Sequence, residues 1–337
     1  MKDIVILDGW WGSGKSTLRG VLDGHPELMV CPVQDSICGG CSLQSKWSQI
    51  MESKDLGEFR KTLWGYTDYY RVEQHASSGN LSNLSGAKQA DITPFVFSFT
   101  RFDQTFSEQL RMADVWSLDV LLDLYYSLFS ENWSHTRQDV PRIAVTMDNN
   151  YPMTSDFLLK NSSRTKFIWV DRPSEDILAV HVKRKPVDGQ IGTRGWGKMS
   201  ISSLIRSGYV FEHERRREKV KRLAGQHPDR VQIITLRELV EKTAETVHKV
   251  TDFIGMAPHP ILESFTYMGQ PFPGSEHYLE RLNDLGENVF SKAERDQISR
   301  EVIRSQKGLA SPFIQMRALR SSVGNAIRTY RGFCSGC

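Results

Sequence analysis

Residues Gly9-Trp10-Trp11-Gly12-Ser13-Gly14-Lys15-Ser16 fill every required position of the pattern G-x-x-x-x-G-K-[ST]. That spacing suits the binding of an anion such as phosphate. Successive backbone N–H groups in such a loop turn inward and surround anionic oxygens. A helix N-terminus behind the loop adds a favourable dipole. Gly12 and Gly14 leave out Cβ atoms that would block close approach. Lys15 brings a point charge, and Ser16 and Thr17 bring hydroxyl donors. The plainer alternative is a glycine-rich turn that holds no ligand.

Such a loop needs a strand to deliver it and a helix to continue from it. Ile4–Leu7 is a short apolar run that reads as a buried strand, and Leu18, Val21 and Leu22 follow the loop at helical spacing. Four more runs have the same buried-strand character: Leu28–Cys31, Ile143–Met147, Phe167–Val170 and Val231–Ile234. Pro173 and Ser174 open a helix through Lys183, with Glu175 and Asp176 in its first turn, where the helix dipole favours acids. Val240, Val247, Val250 and Ile254 mark another helix that Gly255 stops. Strands alternating with helices predict an α/β layer fold around a parallel sheet of about five strands.

Residues 41–139 break that alternation and read as a mostly helical insertion over the core. Leu56, Phe59, Leu63 and Tyr70 suggest one helix there. A stronger one carries Leu118, Leu121, Leu122, Tyr125, Leu128 and Phe129 on one face. That aromatic stripe either packs as core or lines an acceptor pocket. A polar stretch at 77–88 has the composition of a loop. From Ser207 to about Ala224 a helix interleaves Arg215, Arg216, Arg217, Lys219, Lys221 and Arg222 with Glu212, Glu214 and Glu218, which reads as a solvated face with local ion pairs. Ser291-x-x-Glu294 is a capping box that starts a late helix. The tail 307–337 has basic residues and no acid. The whole reads as one domain, with 257–337 as a helical and basic C-terminal part.

The chain has 337 residues and a formal net charge of +3, which argues for local anion binding and against a nucleic-acid partner. No apolar run is long enough for a membrane span. The start, Met-Lys-Asp and then a strand, lacks a secretory leader, so the expected compartment is the cytoplasm. Asn80, Asn83, Asn132 and Asn161 fit the glycosylation pattern and are then chance matches. Cys38-Gly-Gly-Cys41 and Cys334-Ser-Gly-Cys337 together have the ligand count for tetrahedral zinc, but almost the whole chain separates them. The alternative is two pairs of reduced thiols, and no metal is expected at the loop.

Several segments beyond the loop resemble the P-loop sulfotransferase family, in the family's order. Leu18 to Leu28, with His25-Pro26, resembles the leucine-rich helix after the phosphosulfate loop. Asp148-Asn-Asn-Tyr151-Pro152 resembles a polar strand end followed by proline, and Phe167 to Pro173 resembles the strand and Arg-x-Pro turn that meet the 3′-phosphate. Leu236-Arg-Glu-Leu239-Val240 and Phe253-Ile-Gly255 resemble a late strand end and its helix closing on Phe-Leu-Gly. Where the family reads Arg-Asp-Pro, this chain reads Asp171-Arg172-Pro173, and a family serine falls on Ala179.

The resemblance implies a transferase that takes a sulfuryl group from 3′-phosphoadenosine 5′-phosphosulfate to a hydroxyl of a carbohydrate or small metabolite, without a metal. Trp11, Gly12, Ser13, Gly14, Lys15, Ser16 and Thr17 would then hold the 5′ end of the donor. Arg172 and Ser174, or else Lys183 or a tail residue, would meet the 3′-phosphate. Lys15 would stabilise charge on the transferring group. Asp35, close to where the family carries a glutamate, would be the general base, with His181 as second candidate. His25 would pack at a helix end. An ATP-dependent kinase remains open, because Asp148 and Asp171 each follow a strand and can imitate the metal-binding acid of such enzymes. So does a nucleotide-binding regulatory protein without catalysis.

Overall fold

The computed structural model describes residues 3–10, 12–31, 42–53, 99–132, 142–147, 155–183, 201–267, 270–271 and 290–309. In chain order its first half contains β1 (Asp3–Asp8), α1 (Lys15–Leu22), β2 (Leu28–Val30), α2 (Ser42–Ser53), α3 (Phe99–Met112), α4 (Leu118–Asn132), β3 (Ile143–Met147) and α5 (Ser155–Asn161). The second half contains β4 (Thr165–Asp171), α6 (Ser174–Lys183), α7 (Ile201–Arg206), α8 (Tyr209–Gln226), β5 (Val231–Thr235), α9 (Leu236–Glu241), α10 (Thr243–Ile254) and α11 (Lys292–Leu309). A small antiparallel pair, β6 (Thr266–Tyr267) and β7 (Gln270–Pro271), lies before α11.

The five main strands form one sheet in the order β2-β3-β1-β4-β5, and all neighbours run parallel. All five expected strands are present. β2 ends at Val30, although Cys31 still donates its N–H to Val145 O at 2.8 Å. The strands read as unbroken apolar runs because both faces of the sheet are covered. Ile4, Ile6, Ala144, Phe167, Trp169 and Val231 pack on one face with residues of α3 and α4. Val5, Leu7, Val145, Ile168, Val170 and Ile234 pack on the other with Leu18, Val21 and Leu22 of α1 and Val247, Val250 and Ile254 of α10. The result is three layers, helix, sheet and helix.

The aromatic stripe of α4 is core. Its six marked residues are buried, and the Tyr125 ring meets Phe102 of α3 edge-on at 5.4 Å between centroids. The single helix expected around 240–254 is two helices. Thr243 Oγ1 donates to Leu239 O at 2.8 Å, the carbonyl that a continuous helix would give to the Thr243 N–H. Lys242 accordingly leaves helical dihedrals, and a capping box of Thr235 and Glu238 starts α9 separately. The Ser291–Glu294 box forms as expected.

The solvated reading of α8 is incorrect for part of its circumference. His213 and Glu214 are 1% and 0% exposed, because Trp10 and Ser174 pack on the first and Ser174 and Gln306 of α11 bond the second. The expected helix around 56–70, the polar stretch at 77–88 and the tail beyond 309 lie outside the described residues. Among the described residues, no helix is long and apolar enough to cross a membrane.

Candidate anion-binding site

The loop from Gly9 to Ser16 sits at the carboxyl end of β1, the central strand. Ligands of open parallel sheets bind at this end, where the strand order reverses. Pairing of Asp8 with Trp169 brings the loop beside the end of β4 and the turn into α6. Gly9 N–H donates to Asp8 Oδ1 at 2.7 Å. Gly14 has φ of 103°, and a Cβ there would lie 2.5 Å from Leu236 Cδ1, so another residue would strain the backbone and push the leucine aside.

The loop leaves donors open. Ser13 N–H closes a turn onto Trp10 O at 2.9 Å, and the first helical bonds run from Thr17 and Leu18 N–H to Gly14 O. Among the described residues, the backbone N–H groups of Gly12, Gly14 and Ser16 have no acceptor. Three open donors and the dipole of α1 are what a cradle for an anion needs. Lys15 Nζ, buried beside it, donates to Gly9 O at 3.0 Å. Ser13 Oγ is buried and has no partner among the described residues. Ser16 is exposed, with Met147 Sδ at 3.5 Å from its hydroxyl, and Thr17 is buried.

A second, buried group of polar side chains stands behind this cradle. Arg172 does not reach outward: its Nη1 donates to Gly12 O at 2.9 Å, and its Nε lies 3.9 Å from Asp176 Oδ2. Arg217 of α8 donates to both carboxylate oxygens of Asp171, at 2.7 and 2.6 Å, and to Glu214 Oε1 at 3.0 Å. Gln306 of α11 adds a bond to Glu214 Oε2 at 3.2 Å. Burial alone would raise the Asp171 carboxyl, but the hydrogen bonds and charge of Arg217 outweigh it and hold its pKa below the usual value. Glu214 is held low against burial by Ser174 and Arg217.

Ser174 Oγ lies 2.7 Å from both Glu214 Oε1 and His213 Nδ1. A hydroxyl has one proton, and the carboxylate can only accept, so Ser174 donates to Glu214 and His213 donates from Nδ1–H. Burial pushes the His213 pKa down to about 4, with Glu214 opposing, so the ring is neutral near pH 7.

Trp10, inside the loop, joins the two groups. Its Nε1–H donates to Tyr209 OH. Its ring meets Tyr209 and His213 edge-on, with centroids 5.2 and 5.3 Å away, and the Arg216 guanidinium lies over it at 5.1 Å.

Gly12, Ser13, Gly14, Lys15, Ser16 and Thr17 lie together in the loop and the first turn of α1. Arg172 and Ser174 are near the loop but engaged inward. Trp11, Asp35, Asp148 and both C-x-x-C pairs lie outside the described residues. His181 and Lys183 are in α6, and their side chains lie outside the described set, while Ala179 is core. His25 is buried at the end of α1, with Nε2 3.1 Å from Ala257 O. The Asp171–Arg217–Glu214 cluster was not anticipated. Its one sequence signal was the density of charge at 212–217, which a solvated helix also produces.

No family model matches the chain, and no curated protein matches it. Among solved structures it is similar to the sulfotransferase domain of the Synechococcus PCC 7002 olefin synthase, with 14% identity over 88% of this chain and 93% of that one and a TM-score of 0.44. It is also similar to the sulfotransferase domain of the curacin biosynthetic pathway, with 14% identity over 90% and 98% and a TM-score of 0.45. A third is sulfotransferase STF1 from Mycobacterium tuberculosis H37Rv, with 11% identity over 84% and 76% and a TM-score of 0.37.

Proposed function

We propose that this chain transfers a sulfuryl group from 3′-phosphoadenosine 5′-phosphosulfate to a hydroxyl of a carbohydrate or small metabolite. The observation that carries the anion-binding half of this reading is the cradle itself. Three N–H groups without an acceptor among the described residues lie beside Lys15 at the N-terminus of α1. The sulfuryl half is supported by the ordered sequence segments at 18–28, 148–152, 167–173 and 236–255 that resemble sulfotransferases.

In this reading the acceptor oxygen attacks sulfur in line, a new S–O bond forms, and the bond to the bridging oxygen breaks. Adenosine 3′,5′-bisphosphate leaves. Lys15 exchanges Gly9 O for that bridging oxygen and, with the loop amides, offsets the charge developing there. The acceptor proton passes to a base, for which Asp35 is proposed first and His181 second.

One observation weighs against a kinase that uses Asp171. Arg217 already donates to both of its oxygens and offsets its charge, so a magnesium ion there would compete with a buried ion pair. The test compares ligands and metal dependence. Adenosine 3′,5′-bisphosphate is expected to bind much more tightly than ATP with magnesium, and transfer is expected to persist in excess EDTA. Tight, magnesium-dependent ATP binding, lost in Asp148→Asn, without affinity for the bisphosphate, would make the chain a kinase. Binding without turnover on any acceptor would make it a regulatory protein.

A further inference from the structure

The turn between Trp10 and Ser13 is held more firmly than an anion cradle strictly needs. The peptide joining Gly12 to Ser13 is bonded at both ends. Its carbonyl accepts from Arg172 Nη1 at 2.9 Å, and its N–H donates to Trp10 O at 2.9 Å. A trans peptide points these groups in opposite directions, so it cannot rotate without losing both bonds. If it did rotate, the Gly12 carbonyl would face the Trp10 carbonyl, and the turn that carries the neighbouring open N–H groups would be lost.

Each anchor is itself anchored. The Trp10 ring is gripped by Tyr209, His213 and Arg216, which lie at spacings of four and three on one face of α8. Arg172 follows Asp171, which Arg217 of the same helix holds with two bonds. Glu214 ties Arg217 to Ser174 on the far side of the Arg172 turn. Thus one buried cluster on α8 fixes both arms of the loop.

Carboxylates outnumber guanidinium groups around this turn. The carboxylates of Asp171, Asp176 and Glu214 face the guanidinium groups of Arg172 and Arg217. No surplus of positive charge is left among these side chains to receive a second phosphate.

We infer that Arg172 and Trp10 are positioning residues that pre-shape the loop for its anion, and that Arg172 is not the contact of the ligand's 3′-phosphate. The inference rests on the phosphate-binding part of the proposed function only. The test is calorimetric titration of the full chain with adenosine 3′,5′-bisphosphate, adenosine 5′-phosphate and inorganic pyrophosphate. Arg172→Ala removes a charged hydrogen bond to Gly12 O and is expected to weaken all ligands by a similar factor, roughly tenfold or more. The ratio between the two adenosine ligands should stay unchanged. Arg172→Lys, which keeps a cationic donor, should regain part of the loss for each ligand. Trp10→Phe, which loses the bond to Tyr209 but keeps the ring, should show a smaller loss with the same lack of selectivity.

The inference is overturned if Arg172→Ala abolishes the preference for the bisphosphate and leaves the other two affinities intact. It is equally overturned if a folded Arg172→Ala binds all three as the parent does. Should Arg172→Ala not fold, Arg172→Lys decides by the same criterion: uniform loss supports the inference and selective loss overturns it. Parent protein that binds pyrophosphate but not the bisphosphate sinks the sulfuryl-transfer reading, and the pyrophosphate series then decides the role of Arg172. Parent protein that binds no phosphate ligand overturns both.

Discussion

Arg217→Met isolates the cluster behind the loop. The substitution keeps the stem of the side chain and removes its charge. It leaves Asp171, whose two bonds are 2.7 and 2.6 Å, and Glu214, at 3.0 Å, without their cation. Glu214 is wholly buried, and the Asp171 side chain is 13% exposed, so water replaces little of what is lost. Breaking a buried pair by deleting one partner costs about 3–5 kcal/mol. The cost is bounded, because a stranded carboxylate can take up a proton. Doing so at pH 7.5 from an unfolded pKa near 4 costs about 5 kcal/mol per group. We therefore expect a loss of about 4 kcal/mol in urea unfolding at pH 7.5, a large part of the stability of an ordinary domain.

The pH dependence separates this mechanism from simple loss of packing. In the parent, Asp171 and Glu214 are held below their usual pKa. Their contribution is present above the unfolded carboxylate pKa and is lost as pH falls through the folded values. In Arg217→Met, burial without the cation raises them, so folding is relatively favoured as pH falls towards the carboxylate range. The deficit should therefore shrink by about 1 kcal/mol or more between pH 7.5 and 5. Adding Glu214→Gln to Arg217→Met should recover part of the loss, which a double-mutant cycle reads directly. A loss below about 1 kcal/mol at pH 7.5, or a deficit that does not change with pH, would refute the account of two stranded carboxylates.

Two further outcomes follow from the site. If the lysine faces developing charge as proposed, Lys15→Ala should lower kcat/KM by about 100-fold or more while urea unfolding shows the fold intact; unchanged turnover would remove this loop as the active site. The His213 pKa of about 4 lies below its unfolded value, so the histidine contributes stability that is present above roughly pH 6.5 and is lost as pH falls through about 4. His213→Asn, whose amide can still donate to Ser174, should therefore flatten the decline in stability between those limits, which urea midpoints across that range will show.

The parts that were legible in the sequence are those whose physics is local. The five strands carry their burial in their own residues, because a strand covered on both faces has no polar alternation to confuse the reading. The loop was legible because Gly14 must fit a left-handed turn above Leu236 and because the lysine and hydroxyl residues follow at fixed steps. Arg172 shows where local reading stops. The resemblance of its segment to the family's Arg-x-Pro turn implied an outward contact with the 3′-phosphate. Its partner, Gly12 O, lies 160 residues away in sequence and is brought near by the β1–β4 pairing. The same holds for α8. Arg215 and Arg216 pair with Glu212 within one turn, as the charge pattern suggested. Arg217, next in the chain, reaches across 46 residues to Asp171 instead. One helical position, about 100° of rotation, separates a pair made within the helix from one made to another element. Which of the two an arginine joins depends on what packs against that side of the helix. Here the answer is the end of β4 and Gln306 of α11, neither of which the local pattern of charges encodes.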